Sequence, residues 1–206
     1  MARREHRQTR QSFLRPRRPT ILVYCLCREQ KKDGRFVGTE AAYFDALRLD
    51  RHRELPVVLD VRAKAVAPCD LVVHAAEFAR KSPDDYEEVW CVVDVDRFPM
   101  TEVGPEARRH GVRLAVSSPC FELWLLLHHA GRRAPAASCD ELGDQIRRHV
   151  PRYSKSQLRF ADFSAGIRDA LERARLLSKP DDDTYPNPSS GVWQLMEKIL
   201  TPPEGL

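Results

Sequence analysis

The chain has 206 residues, of which 42% are hydrophobic and 31% charged, and a net charge of +4. That length fits one domain, or one domain with a small appendage, with an apolar core under a well-solvated surface. No segment approaches the roughly eighteen consecutive apolar residues of a membrane span, and the charged N-terminus lacks an apolar h-region, which argues against secretion.

The basicity is local. Residues 1–18 hold seven arginines, including Arg15, Arg17 and Arg18, against the single acid Glu5. The arm is thus +6 and the rest of the chain about −2. Such a segment is too polar to pack and is expected to be a flexible arm. Arginine-rich arms dock on phosphates, although they also pair with acidic proteins or serve only solubility.

Beyond the arm, strands and helices alternate. Thr20 to Leu26 is a short apolar β-rich run, and residues 28–38, charged and glycine-containing, are expected to form a loop. Thr39 can cap a helix through Ala41, Phe44 and Leu47. Pro56 to Val61 predicts a second strand, and Asp70 to Lys81 has helical spacing. Val89 to Val93 is apolar on both faces, as in the centre of a parallel sheet covered by helices. A short helix from Thr101 to His110 and a strand from Val112 to Val116 follow. Ser118 can cap a helix with Pro119 at its first position, carrying Phe121 to Leu127. Further helices are expected over Asp140–His149, Asp162–Leu177 and Ser190–Leu200.

This order predicts an α/β fold. Its mainly parallel sheet of about four strands is flanked by helices, and the C-terminal portion is helical. Residues 19–130 would form the core and 131–206 would pack on it. The six cysteines contain no Cys-x-x-Cys pair and most sit in apolar stretches. Reduced core thiols of a cytosolic protein are expected, in preference to a zinc site.

The chemistry centres on Asp94-Val95-Asp96. Carboxylates two apart on an extended backbone project to one side, here where a buried parallel strand ends. Together they repel unless a cation neutralises them, and hard oxygen donors suit Mg²⁺ (or Mn²⁺). The plain alternative is a solvated loop whose aspartates cap the next turn. Glu122 lies among large apolar residues in the first turn of a predicted helix. It either serves the helix dipole or contributes to the acidic site. Glu29 and Glu40 flank the loop after the first strand, and either can complete a carboxylate cluster. Lys155 can meet a phosphate or stay solvated. His128 and His129, ending an apolar helix, read as dipole partners rather than ligands, and Asn187-Pro188-Ser189 as a turn. No G-x-x-x-x-G-K-[ST] or G-x-S-x-G occurs, so neither a P-loop ATPase nor a hydrolase triad is indicated.

Several blocks occur in a telling order: T-E-A-A-Y-F after the first strand, V-W-C-V-V-D-V-D-R-F-P, S-S-P-C-F-E-L-W-L-L-L, Y-S-K, and N-P-S-S-G-V-W. From about residue 18 to 200 the chain resembles the RloB-like family, which includes AbiL-type abortive-infection components. The resemblance implies a TOPRIM-like (Rossmann-like) fold and a Mg²⁺-dependent nuclease in bacterial anti-phage defence. It also implies a cytoplasmic setting, an AAA- or ABC-type ATPase partner, and RNA or DNA as substrate. Asp94 and Asp96 match the family's D-x-D, Glu122 its F-E-L-W glutamate, and Glu40 its T-E-x-x-Y-F glutamate. One departure stands out. Where the family carries C-E-G-E-K-T-E, this chain has Cys25-Leu26-Cys27-Arg28-Glu29, then an insertion before Thr39-Glu40. Glu29 or Glu40 replaces the displaced acid, or the chain is a weakly active or inactive regulatory partner of the ATPase. Homo-oligomerisation is left open.

Overall fold

The computed structural model describes residues 18–27, 29–30, 36–95, 100–155, 157–178 and 184–202. In chain order these form β1 (Thr20–Leu26), β2 (Glu29–Gln30), β3 (Phe36–Val37), α1 (Thr39–Arg51), β4 (Val58–Lys64) and α2 (Pro68–Arg80). There follow β5 (Glu88–Asp94), α3 (Val103–His110), β6 (Arg113–Ser118), α4 (Glu122–Leu127) and α5 (Cys139–His149). Two 3₁₀ turns (Phe160–Asp162 and Ser164–Gly166) lead into α6 (Ile167–Arg175), β7 (Ser189–Ser190) and α7 (Val192–Leu200).

The main sheet has the order β4-β1-β5-β6-β7, parallel throughout except for β7, which runs antiparallel to β6. The architecture is the expected α/β, Rossmann-like one, with five strands rather than about four. Strand alternation divides the core into two layers. Ile21, Val23 and Cys25 of β1, with Trp90 and Val92 of β5, pack under α1, α4 and the C-terminal helices. Leu22 and Tyr24, with Cys91 and Val93, face α2 and α3. Leu142, Ile146, Leu195 and Met196 belong to the first of these clusters, so the helices after residue 138 share their core with α1 and the sheet. No helix among the described residues is long and apolar enough to cross a membrane.

Several local expectations are corrected. The stretch after β1 contains a small antiparallel hairpin, β2–β3, with Glu29 opposite Val37. The N-cap of α1 is Gly38, not Thr39, which is the first helical residue. Its hydroxyl turns inward to Glu122 instead. Ser118 is the last residue of β6, and the chain passes a cis Ser118–Pro119 bond before α4 starts at Glu122. All six residues of α4 are buried, as befits a helix that is apolar nearly all round.

The helix predicted from Asp162 begins only at Ile167, after a close approach of chain to chain. A Cβ on Gly166 would overlap the His128 carbonyl, backbone that cannot rotate away. Gly166→Ala is therefore expected to cost about 3 kcal/mol through overpacking. The measurement is the urea midpoint at pH 7, and an unchanged midpoint would refute this reading of the contact.

Candidate active site at the carboxyl edge of the sheet

The next strand of the main sheet after β1, β4, lies on one side of it, while β5 lies against its other side. In sheets of this order the crevice outside the strand ends, where the connection reverses, is the usual ligand site. Asp94 is the last residue of β5, half-buried, and opposite Ser117 of β6. By alternation it shares a side with Trp90 and Val92, the face covered by α1 and α4. One carboxylate oxygen, Oδ1, is fully buried. Val95 continues the ladder by donating its N–H to the Ser117 carbonyl at 3.0 Å.

The first helix brings Glu40 to the same edge. In the register of the β1–β5 pair, Cys25 lies opposite Val92, so the end of β1 runs beside Asp94. Extended Gly38 turns the chain from there into α1. A Cβ at Gly38 would lie 3.3 Å from Cys27 Cβ, 3.4 Å from Glu40 Oε2 and 3.5 Å from the Leu26 carbonyl. The Glu40 carboxylate thus folds back against the end of β1. Its charge helps raise the Cys25 and Cys27 thiols, in both cases after burial as the larger cause.

Glu122 enters from α4 and is 4% exposed. Its Oε1 pairs with Lys155 Nζ at 3.1 Å and lies 3.5 Å from both Thr39 Oγ1 and Tyr153 Oη, each oriented to donate. Buried carboxylate oxygens need such hydrogen-bond partners. Burial first, then the Glu122 charge, raises the Tyr153 hydroxyl far above its ordinary range, and Glu40 adds to this. Tyr153 therefore sits between the two glutamates as a neutral donor.

The structure thus brings Glu40 and Glu122 together around Thr39 and Tyr153, at the strand edge that Asp94 ends. Lys155 is bound to a carboxylate there. Glu29 is placed in β2 opposite Val37, the residue that precedes Gly38. Asp96, Arg15 and Arg17 lie outside the described residues. Arg18 donates to the carbonyls of His52 and Leu55 at 2.8 and 3.0 Å, tying the start of β1 to the end of α1. Sequence reading missed Thr39 and Tyr153 as site residues. Tyr153 had one available signal, its place in the Y-S-K block two residues before Lys155.

His128 also differs from expectation. Its Nδ1 donates to the Trp124 carbonyl at 2.9 Å, and its Nε2 accepts from the Tyr43 hydroxyl at 3.1 Å. It is buried and neutral rather than a cation at a helix end, its pKa pulled down to about 3 chiefly by burial. Asn187 does more than turn the chain, since its amide bonds both the N–H and the carbonyl of Ala136 at 3.0 and 2.9 Å.

Cys120 and Cys139 are joined in a disulfide, correcting the expectation that all six thiols are reduced. Packing of α4 on α5 sets their Cα atoms 6.0 Å apart, within the usual disulfide span. Alkylation of the denatured, unreduced protein should label only Cys25, Cys27, Cys69 and Cys91. Mass spectrometry checks this, and six labelled cysteines would refute the bond. With Glu122, these cysteines are the one group of three residues of metal-ligating type brought together among the described residues. The bonded sulfurs and the Lys155 pairing make it a poor seat for a hard cation. The oxygen donors of Asp94 and Glu40 do suit one in their chemistry.

Neither the curated proteins nor the solved structures include a match to this sequence. One family model, described as RloB-like protein, matches residues 36–199.

Proposed function

The chain belongs to the RloB-like family, and from that premise we propose that it is a Mg²⁺-dependent, TOPRIM-like nuclease. On this reading it cleaves phosphodiesters of RNA or DNA as the effector of a bacterial anti-phage abortive-infection system. It would work in the cytoplasm beside an AAA- or ABC-type ATPase. The observation that carries the reading is Asp94 at the carboxyl end of a central strand, on the face and edge that Glu40 and Glu122 share.

Asp94, with Asp96 and Glu40, would hold the ion (Mg²⁺ or Mn²⁺). When bound, the ion would neutralise charge on the scissile phosphate and lower the pKa of a coordinated water. Glu40, at the start of α1, can exchange a proton with the attacking or leaving oxygen; Glu29 is the alternative acid. Glu122 acts at one remove. Its carboxylate orients Lys155, whose side chain is 39% exposed and can meet a phosphate oxygen. The arginines of the N-terminal arm, Arg15 and Arg17 among them, would add phosphate contacts that salt weakens. The engagement of Glu122 by Lys155 also favours a second reading, a catalytically weak nucleic-acid- or nucleotide-binding partner of the ATPase.

The test is cleavage of labelled RNA and DNA with Mg²⁺ or with chelator, by wild type and by Asp94→Ala/Asp96→Ala, each with and without the ATPase. Cleavage by wild type alone supports the nuclease. Equal cleavage by both proteins would falsify it. Binding without cleavage, steeply salt-dependent and flattened by deleting residues 1–18, supports the second reading.

A further inference from the structure

On one side the sheet ends at β4, which pairs with β1 and with no other described strand. It keeps register with β1 from Val58 through Lys64. Val58 N–H donates to the Pro19 carbonyl, and the Lys64 carbonyl accepts from Cys27 N–H, so the even-numbered residues turn their backbone toward β1. Leu59, Val61 and Ala63 therefore turn their N–H and carbonyl groups to the free edge. Such an edge is a template for another strand, and proteins usually blunt it with a proline, a bulge or a covering segment. β4 contains neither proline nor bulge.

The side chains of β4 complement themselves. The strand reads V-L-D-V-R-A-K, with an acid and a base on either side of Val61. Laid antiparallel to a second copy about a two-fold axis at Val61, it sets Asp60 opposite Arg62 of the partner subunit, and the reverse. The backbone agrees with this register. Val61 exchanges both its bonds across the axis, and Leu59 exchanges its own with Ala63 of the partner subunit. The charged residues then fall at the non-hydrogen-bonded positions, where facing side chains lie closest. Moving the axis by one residue sets Asp60 against Asp60, or Arg62 against Arg62, which is unfavourable. Within one chain, Arg62 bonds Asp60 Oδ2 at 3.1 Å and its guanidinium lies over the Phe78 ring at 4.1 Å. Tyr86 Oη donates to the same oxygen at 2.8 Å. Every bond to this carboxylate among the described residues is to Oδ2, and the Arg62 side chain is 42% exposed. Each group can thus meet a second partner without giving up the first. Apolar surface lies here too. Val58 and Leu49, the latter on the helix that packs against β4, are two of the three large apolar side chains exposed among the described residues.

We propose that β4 is the docking edge for a second copy of this chain, joined antiparallel so that the two sheets run on as one. The contact is isologous, each subunit giving the same strand. β5 runs parallel to β1 and β4. The two Asp94 edges therefore face opposite ways in the dimer, and each subunit keeps its own site. The pairing is independent of what that site does.

Sedimentation of the full chain from about 1 to 100 μM should show a mass rising from 23.7 kDa toward double that value. Asp60→Arg alone and Arg62→Asp alone each set like charges face to face, and should raise the dissociation constant about tenfold or more. Mixing these two variants restores opposite charges at both positions, so a heterodimer of distinct mass should appear in native mass spectrometry. Val61→Pro removes an N–H that only the second copy uses, and should leave a folded monomer. A wild type that stays at 23.7 kDa overturns the proposal. If deleting residues 1–17 then lets it dimerise, the basic arm is the occupant of the edge instead. A dimer that persists in Val61→Pro and in both charge variants lies on another surface, which overturns the proposal too. So does a mixture that associates no better than its components. Melting curves establish that each variant is folded. Should Asp60→Arg, which also loses the Tyr86 bond, not fold, Arg62→Asp and Val61→Pro decide the matter.

Discussion

Asp94→Ala is expected to lower Mg²⁺-dependent cleavage on the order of 10³-fold, because a lost metal ligand forfeits several kcal/mol of transition-state charge stabilisation. The fold should survive. Asp94 ends its strand half-buried, and its replacement leaves the apolar layers of β5 intact. A ligand that binds only the folded state raises the melting temperature. Wild type should therefore melt higher as Mg²⁺ or Mn²⁺ is added, and Asp94→Ala should not. Asp94→Asn, which keeps the shape and removes the charge, should behave like the alanine variant in both assays. If the asparagine variant keeps its metal-dependent melting shift, Asp94 is not the ligand. Glu122→Gln should act differently. It loosens Lys155 without removing a metal ligand, so substrate affinity should suffer while the metal-dependent shift persists.

Acid should destabilise the protein through His128. The imidazole is buried beside Tyr43, Trp124 and Phe163. Its folded pKa lies near 3, against 6.5 for an exposed ring. The unfolded chain binds a proton below about pH 6.5 that the folded chain refuses until about pH 3. The contribution is thus complete above pH 6.5 and is lost as pH falls through that window, by about 5 kcal/mol in all. The cause is desolvation, opposed by the hydrogen bond to the Trp124 carbonyl. His128→Leu alone would strand the Tyr43 hydroxyl, whereas His128→Leu/Tyr43→Phe removes both partners and should cost little at pH 7. Urea unfolding at pH 7 and pH 4 should show a large loss for wild type and a much smaller one for the double variant. Equal losses would mean that another group carries the acid sensitivity.

Both sites show how far residue order alone reaches. β1 spans Thr20–Leu26 as its composition implies, and β5 extends only one residue beyond Val89–Val93 at each end. Their apolar, β-branched runs are buried on both faces, so local pattern and tertiary position agree. Helices α2 and α5 likewise follow their periodicity to within two residues. Asp94 was legible because it directly follows such a run. Two-residue elements were not, since β2, β3 and β7 have no periodicity of their own and exist only through their partners. For the same reason Gly166 gave no sign that a carbonyl 38 positions earlier in the chain leaves no room for a side chain there.

The sequence by itself determined the alternating α/β order, the buried central strand and the acid at its end, because these depend on composition within a few residues. The tertiary structure decided what surrounds that acid. Only the stacking of α1 and α4 on one face sets Glu40 and Glu122 around Thr39 and Tyr153, and only folding turns Lys155 toward a carboxylate. It also converted His128 from a helix-end cation into a buried neutral ring, and joined Cys120 to Cys139. Each of these follows from burial and from contacts between distant segments, which no local pattern encodes.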